Sequence, residues 1–333
     1  MGLGQSKNML ISIRRNKFET NKTERRKKFR SWSSLPAKDG NFNELWSFSN
    51  GGKRIHNNSL RSSKFSNFTM DEEVKRLERR HQLFKRIWQN NFSAPVNENL
   101  TTGGAKVLEI GCGPGTWTIE MAKSYQLSTF TGVDMIPLFP QEKIPENAKF
   151  LQANVLNGLP FLDDTFDFVY MGLLVTAFTI TEWEKVIPEL VRVTKQGGWI
   201  EFMESDFQYY NEGPTTARLT NSYLHVLKAM EANEKIDKNI RTEERSCFVG
   251  KWAGELGKLA VEDITKGWAA VKLPMTKLMR IKPREYDEII ATFAKEVEQN
   301  KTYFKNWRFF GQKIGTTSTT SAFNITTPSS WFQ

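Results

Sequence analysis

The sequence has too few cysteines for a disulfide framework and no hydrophobic run long enough for a membrane span. Cys112 and Cys247 are the only two cysteines in 333 residues, which excludes a disulfide-stapled fold. The longest apolar run, at residues 171–178, is far shorter than the roughly 20 residues that cross a bilayer. Cys247 has no Cys or His nearby at the spacing of metal ligands, so we predict no metal site.

Acidic residues are scarce in the first 66 residues. This segment holds 15 of the 47 Lys and Arg residues but only 4 of the 37 Asp and Glu residues. The rest of the chain carries nearly equal numbers of basic and acidic side chains, which argues against a folded domain dedicated to DNA binding. The 24 Phe and 10 Trp residues supply enough apolar surface to argue against a fully disordered chain.

Residues 1–66 form a basic arm that is rich in Asn, Ser, Lys and Arg, without a hydrophobic period, and we predict it to be disordered. It opens with the pattern MGxxxS, which makes Gly2 a candidate for N-myristoylation. The basic run Arg25–Arg30 would supply a second attraction to an anionic membrane surface. Membrane association of an otherwise cytoplasmic protein is the favoured interpretation. Nuclear targeting, a mitochondrial presequence and a solvated tail stay open.

Residues 67–95 are predicted to form an N-terminal helix at the start of a domain that spans 67–312. Thr69 and Glu72 have the spacing of a capping box. The pattern is expected to end near Asn90, before the break at Ala94 and Pro95. One helical face carries side chains at spacings of three and four, namely Val74, Leu77, His81, Phe84 and Trp88.

From Ala105 onward, short apolar runs alternate with helical patterns, which predicts a parallel sheet covered by helices. Pro188 is expected to interrupt the second helix. No internal repeat is present. The predicted strands are 106–110, 129–133, 149–152, 166–170 and 198–203, and the predicted helices are 116–124 and 181–194. Further along we expect a helical substrate insertion at 207–260, a strand near 263–273, a helix at 283–299, a last strand at 302–311 and a disordered Ser/Thr-rich tail at 313–333.

The most informative segment is Val107–Thr116, in which a buried strand runs into three glycines at alternate positions and then into a helix. Glycines are needed there because the turn is tight and a ligand must approach the backbone closely. Asp134 follows the next strand, and a carboxylate at that position can accept both hydroxyls of a ribose. A dinucleotide site would place its third glycine at Thr116, so a nicotinamide-dependent reductase is a disfavoured alternative.

The pattern E-x-G-x-G-x-G, from Glu109 to Gly115, resembles motif I of the class I S-adenosylmethionine (SAM) methyltransferases. Three later segments resemble the adenine-flanking residues, the fourth-strand signature and the LxRVxKPGGxxxxxE element of that family: Gln152–Leu156, Thr165–Tyr170 and Leu190–Ile200. Gln196 replaces the usual proline of the last element. Residues 67–312 as a whole are similar to fungal-type small class I methyltransferases, which share the final KTYFxNWRFFGxK.

This resemblance implies an α/β, Rossmann-like fold with a mostly parallel seven-stranded sheet, helices on both faces and an antiparallel last strand. It also implies SAM as the cofactor. Asn154 stands where an Asp is commoner, Cys112 is a small tolerated residue rather than a nucleophile, and core packing is an open alternative for Met171 and Gly172. The implied cofactor-binding residues are Glu109, Gly111, Cys112, Gly113, Gly115, Asp134, Met135, Asn154, Val155 and Met171.

The resemblance implies in-line methyl transfer, for which a base is needed only if the acceptor carries a proton on its nucleophile. The candidate bases are His81, Glu204, Asp206 and His225; packed histidines and solvated acids are the alternatives. The residues after the fourth strand read Tyr170–Leu174 without the Asn/Asp-Pro-Pro-Tyr or Pro-Cys elements of nucleobase methylation. Nucleic acid is therefore disfavoured as a partner, and a small molecule or lipid is the expected acceptor. A SAM-binding scaffold without catalysis is the alternative function, and the sequence does not indicate the oligomeric state.

Overall fold

The computed structural model describes residues 70–229 and 241–314 of the chain. The predictions for the basic arm, Gly2, the N-cap Thr69 and nearly all of the tail lie outside these residues. None of the helices described combines the length and apolarity that crossing a bilayer requires.

The described chain begins with two helices and continues as a mixture of strands and helices, which we number in chain order. The helices are α1 (Met70–Trp88), α2 (Asn97–Thr102), α3 (Thr116–Ser124), α4 (Ile180–Val193), α5 (Pro214–Ala229), α6 (Gly254–Ala270), α7 (Lys272–Met279) and α8 (Pro283–Gln299). The strands are β1 (Lys106–Ile110), β2 (Thr129–Asp134), β3 (Ala148–Gln152), β4 (Phe166–Gly172), β5 (Thr194–Tyr210), β6 (Arg241–Phe248) and β7 (Tyr303–Gln312). Short 3-10 turns lie at Val155–Asn157 and Lys251–Ala253.

The seven described strands form one sheet in the order β3-β2-β1-β4-β5-β7-β6. Strands β3, β2, β1, β4 and β5 are parallel, whereas β7 is antiparallel to both β5 and β6. This confirms the predicted Rossmann-like sheet with its antiparallel last strand. The order of strands reverses between β1 and β4, and in open α/β sheets such a reversal creates a ligand crevice at the carboxyl ends of the strands.

The predicted strand at 263–273 is wrong, because these residues lie in α6 and at the start of α7. Ala260, Asp263 and Trp268 are buried there at helical rather than alternate spacing. The sixth strand is instead Arg241–Phe248, inside the segment 207–260 that was expected to be helical. Its largely polar sequence lies at the edge of the sheet, mostly exposed, and therefore gives no alternating hydrophobic signal.

Two other predictions needed correction. Helix α4 runs through Pro188 without interruption, because a full capping box at Thr179 and Glu182 starts it and its apolar face packs on the sheet. Strand β5 extends well beyond residue 203, to Tyr210, because β7 pairs with it at Glu204 and Ser205 and again at Tyr209 and Tyr210, with a register shift in between.

The sheet separates two hydrophobic layers. Val107 on β1 packs with α1 and α3, in a layer that also includes α6 and α8. Its neighbour Leu108 points to the other face and packs with α4. Helices thus cover both faces, as predicted, and leave the carboxyl ends of β1 and β4 between α1, α3 and the loop that follows β4.

Candidate functional site

The turn after β1, which we call the glycine turn (residues 111–115), has the conformation that its sequence predicted. Gly111, Gly113 and Gly115 all have positive φ angles, of +69°, +51° and +73°, in the left-handed region that glycine alone enters without strain. The amides of Gly111 and Cys112 both donate to the carbonyl of Val133, at 2.7 and 3.1 Å. The turn is thereby fixed to the end of β2, and Gly115 is the N-cap of α3.

Asp134 ends β2 beside the glycine turn, where its carboxylate bridges two loops. One oxygen accepts the Gly113 amide at 2.8 Å, and the other accepts the Ile136 amide at 2.9 Å. Burial raises the pKa of Asp134, against backbone hydrogen bonds that lower it. Each carboxylate oxygen has a second lone pair, so both can still accept a hydroxyl. Met135 follows as an exposed apolar side chain at the same edge.

Asn154 and Val155 lie at the adjacent end of β3. The Asn154 side-chain oxygen accepts the Leu156 amide at 3.0 Å and caps the 3-10 turn in which Val155 is buried. The Ala153 amide donates to the Asp134 carbonyl at 3.0 Å, which joins this turn to the end of β2. The structure therefore brings Asp134, Met135 and Asn154 to one edge beside the glycine turn, as the sequence predicted.

Two residues of motif I have supporting roles. The Glu109 carboxylate binds the amide and hydroxyl of Thr118 on α3, so it is directed at the helix rather than at the crevice. Cys112 is buried, and burial raises the pKa of its thiol. A buried thiol with a raised pKa is a poor nucleophile, which fits the prediction that Cys112 is a small tolerated residue.

Met171 does not face the crevice, contrary to the prediction that it contacts the cofactor. Its side chain is fully buried within β4 and packs in the layer that α4 covers. The strand continues one residue further, to Gly172, so the chain leaves the sheet only at Leu173, which has a φ of +59°. Leu174 then contacts the glycine turn: a Cβ on Gly111 would collide with its side chain.

Helix α1 lies across the other side of the glycine turn. Leu77 comes within 3.5 Å of the position that a Cβ of Gly113 would occupy. Glu120 on α3 anchors this helix, because its carboxylate binds His81 at 2.7 Å, Lys85 and, at 3.0 Å, the side-chain amide of Asn91. Burial alone would raise the pKa of Glu120, but these hydrogen bonds outweigh it and lower the pKa to about 2.

The four candidate bases therefore do not converge on one point. His81 is engaged with Glu120, and Glu204 is buried with one oxygen on the Leu174 amide at 2.8 Å. Asp206 accepts the Gln208 amide at 2.8 Å at the outer end of β5. Burial raises the pKa of Asp206 to about 6, and the nearby charges are those of Lys305 and Glu244 on the outer strands. His225 lies on α5, and its side chain is outside the described set.

Sequence reasoning missed Leu77, Glu120 and Leu174, the residues that close the glycine turn from both sides. Leu77 was assigned only to the apolar face of a helix, and Leu174 only to an apolar run. Glu120 bonds to residues 29 to 39 positions away, so no local pattern could indicate its partners. His81, a candidate base by sequence, bonds to Glu120 and so joins α1 to α3.

The buried carboxyls predict how stability depends on pH. Burial raises the pKa of Glu109 and Glu204 to about 8, against hydrogen bonds from Thr118 and from the amide of Leu174 that lower it. In the unfolded chain these groups titrate near 4.5, so between about pH 5 and pH 8 the native state binds more protons. The free energy of unfolding is therefore expected to fall as pH rises through this window.

Urea denaturation at about pH 5.5 and about pH 8 measures this dependence. We expect a lower denaturation midpoint at the higher pH, and a shallower fall in a Glu204→Gln variant, which has no proton to lose. A midpoint that rises over the same interval would show that other groups dominate the proton balance.

The chain is similar to known methyltransferases. Residues 107–198 match the family model described as "Methyltransferase domain". The methyltransferase str3 of Strobilurus tenacellus is 30% identical over 165 residues, which is 49% of this chain and 57% of that protein. The N-methyltransferase sirN of Leptosphaeria maculans is 27% identical over 188 residues, 56% of this chain and 63% of that protein.

A third relative is named as a regulator rather than as a methyltransferase. The secondary metabolism regulator laeA of Coprinopsis cinerea is 28% identical over 144 residues, which is 42% of this chain and 35% of that protein. The chain thus spans less than two thirds of the length of each of these relatives.

Proposed function

We propose that this chain, which is similar to SAM-dependent methyltransferases, binds SAM at the glycine turn and transfers the methyl group to an acceptor. The observation that carries this proposal is the juxtaposition of the glycine turn with Asp134, joined by the hydrogen bond from Gly113 at 2.8 Å. The favoured acceptor is a small molecule or a lipid, since the residues after β4 lack the elements of nucleobase methylation.

The residues of the crevice fit SAM in three respects. The glycine turn leaves backbone free of side chains at the switch point of the sheet, where an amino-acid moiety can approach closely. The Asp134 oxygens retain lone pairs for two ribose hydroxyls. Met135 and the 3-10 turn after Asn154 offer apolar and amide surface at the edge where an adenine would lie.

The chemistry that SAM supplies is a methyl group already activated by a sulfonium charge, so the chain itself has mainly to position the reactants and exclude water. Asp134 would orient the ribose, and the backbone of the glycine turn would hold the amino-acid end. Leu77 on α1 and Leu174 after β4 cover the turn from opposite sides with apolar side chains. Such a cover keeps water from the transfer path.

An Asp134→Ala variant is expected to bind SAM at least about 100-fold more weakly than the wild type. Two hydrogen bonds to a charged carboxylate contribute about 1.5–3 kcal/mol each, which corresponds to a loss of this size or larger. Isothermal titration calorimetry with SAM measures the dissociation constant directly, and circular dichroism checks that the variant is folded.

Asp167 is the matched control, because its carboxylate also accepts a backbone amide, that of Lys106 at 2.8 Å, and lies at the start of β4. An Asp167→Ala variant should keep the wild-type affinity for SAM. If the wild type binds no SAM, the proposed function is wrong; if it binds NADH instead, a reductase is favoured.

The alternative is a SAM-binding scaffold without catalysis, and the similarity to laeA, a protein named as a secondary metabolism regulator, is the supporting observation. Both functions require SAM binding, so calorimetry does not separate them. Incubation of the protein with radiolabelled SAM and a host extract does, because only an enzyme transfers label to an extract component. An Asp134→Ala control shows whether the transferred label depends on the site.

A further inference from the structure

Glu204 lies near the end of the parallel part of β5, directly beneath the loop that follows β4. It is 2% exposed, its register partner on β7 is Trp307, and it follows Met203, the last residue of β5 that pairs with β4. It was a candidate base by sequence. A base must reach the acceptor, whereas this carboxyl is enclosed by the protein.

The contacts of Glu204 are with the backbone of the loop. One carboxyl oxygen accepts the Leu174 amide at 2.8 Å, and the amide of Leu173 donates to the neighbouring Met203 carbonyl, also at 2.8 Å. Leu173 itself has a φ of +59°, a conformation that a side-chain-bearing residue adopts only when its surroundings impose it. Two hydrogen bonds from the end of β5 therefore hold a strained residue where β4 leaves the sheet.

The consequence of this bend appears at Leu174. Its side chain lies so close to Gly111 that a Cβ there would have to displace it. The loop and the glycine turn thus touch at the switch point between β1 and β4, where the ligand crevice lies. The carbonyl of Leu174 accepts the Ala177 amide within the same loop at 2.9 Å, so the bond from the Leu174 amide to Glu204 is the one that ties this residue to β5.

We propose that Glu204 is a positioning residue that holds residues 173–175 closed against the glycine turn and so sets the affinity of the crevice for SAM. Burial raises the pKa of Glu204 while the backbone amides of Leu174 and Val175, both in the loop, lower it, and its second carboxyl oxygen is buried. Both the amide contacts and the burial favour a role in holding the loop over a catalytic one. The part of this inference that concerns SAM rests on the proposed function, whereas the part that concerns the loop does not.

The experiment compares Glu204→Met, which removes the hydrogen-bond acceptor, with Glu204→Gln, which keeps one. Hydrogen–deuterium exchange of the segment 172–178 and calorimetry with SAM are the two measurements. In Glu204→Met we expect the Leu174 amide to exchange at least about tenfold faster and SAM to bind about tenfold more weakly. In Glu204→Gln both quantities should return to within about threefold of the wild type. Should the Met variant not fold, Glu204→Asp, one methylene shorter, is expected to show the same pattern.

Glu296 supplies a matched control. It is a buried carboxylate on α8 that accepts the amides of Thr215 and Thr216 at 2.9 and 2.8 Å, away from the glycine turn. A Glu296→Met variant should loosen residues 214–216 and leave SAM affinity unchanged. Unchanged exchange at Leu174 in Glu204→Met would overturn the inference, as would a Gln variant as defective as the Met variant. If the wild type fails to bind SAM, the proposed function is wrong. The hydrogen–deuterium exchange result would still test whether Glu204 holds the loop.

Discussion

Replacing Glu201 with Gln is expected to lower the free energy of unfolding by about 3–5 kcal/mol, the cost typical of breaking a buried ion pair from one side. Glu201 on β5 and Arg308 on β7 are both almost completely buried, at 0% and 2% side-chain exposure, and Arg308 Nε lies 3.4 Å from Glu201 Oε1. The substitution leaves the guanidinium without its counter-charge. Urea denaturation at neutral pH measures the loss.

The hydrogen bonds around Glu201 and Arg308 make this loss of stability hard to avoid in the Gln variant. Glu201 accepts the amides of Ser93 and Ala94 at 2.8 and 2.7 Å, so one of its oxygens becomes an N–H donor facing other donors in the Gln variant. Arg308 in turn donates to Asn90 at 3.1 Å and stacks 4.4 Å from the centre of the Trp88 ring. The pair therefore anchors the segment between α1 and α2, and with it the helix that covers the glycine turn.

The variants Glu201→Gln and Arg308→Met should differ in their free energy of unfolding. In Arg308→Met the remaining Glu201 can take up a proton, since burial already raises its pKa to about 7 against the charge of Arg308. A guanidinium cannot lose its proton in a protein, so Glu201→Gln should be the more destabilising change.

Arg284 and Glu288 provide the control, because this i,i+4 pair on α8 is largely exposed, at 93% and 68%. A Glu288→Gln variant should change the free energy of unfolding by less than about 0.5 kcal/mol. A loss of similar size in the buried and the exposed variant would contradict the role assigned to the buried pair.

The parts of the fold that the sequence predicted well are those encoded locally. Strand β1, the glycine turn and α3 follow one another within residues 106–124, and each has its own signal of apolar run, glycine spacing or helical period. Strand β6 was missed because an edge strand that is mostly exposed has no need of apolar alternation. Residues 263–273 were misassigned because Ile264, Val271 and Leu273 also suit a short strand.

The same distinction between locally encoded and long-range features applies to the site. Asp134 was found because it ends a strand at a fixed distance from the glycine turn. The hydrogen bonds that close the site join residues far apart in the chain. Glu120 bonds to His81 across 39 positions, and Glu204 bonds to Leu174 across 30. Such contacts depend on how layers pack, and a single sequence carries no record of which polar residues will meet.

A Gly115→Ala variant is expected to lose about 3 kcal/mol of folding free energy and to bind SAM more weakly than the wild type. At a φ of +73° a Cβ costs about 1–2 kcal/mol. A clash within a packed region adds about 1–3 kcal/mol. That clash arises because the new Cβ would enter the ring of Phe150 on β3, which stacks on Phe139 with 5.1 Å between ring centres.

Gly104, just before β1, separates the two costs. It also has a positive φ, +77°, but outside its immediate chain neighbours no atom lies within 4 Å of the position of its Cβ. Gly104→Ala should therefore cost only the conformational part, about 1–3 kcal/mol, and leave SAM affinity intact. In Gly115→Ala, Phe150 can yield only by pushing against Phe139 and the end of the sheet that carries Asp134, because β2 and β3 are paired through Gly132 and Phe150. Equal losses of stability in the two variants, measured by urea denaturation, would show that the glycine turn is required for its backbone conformation alone. A larger loss in Gly115→Ala, together with weaker SAM binding, would show that the close approach of Phe150 to the glycine turn is part of the cofactor site.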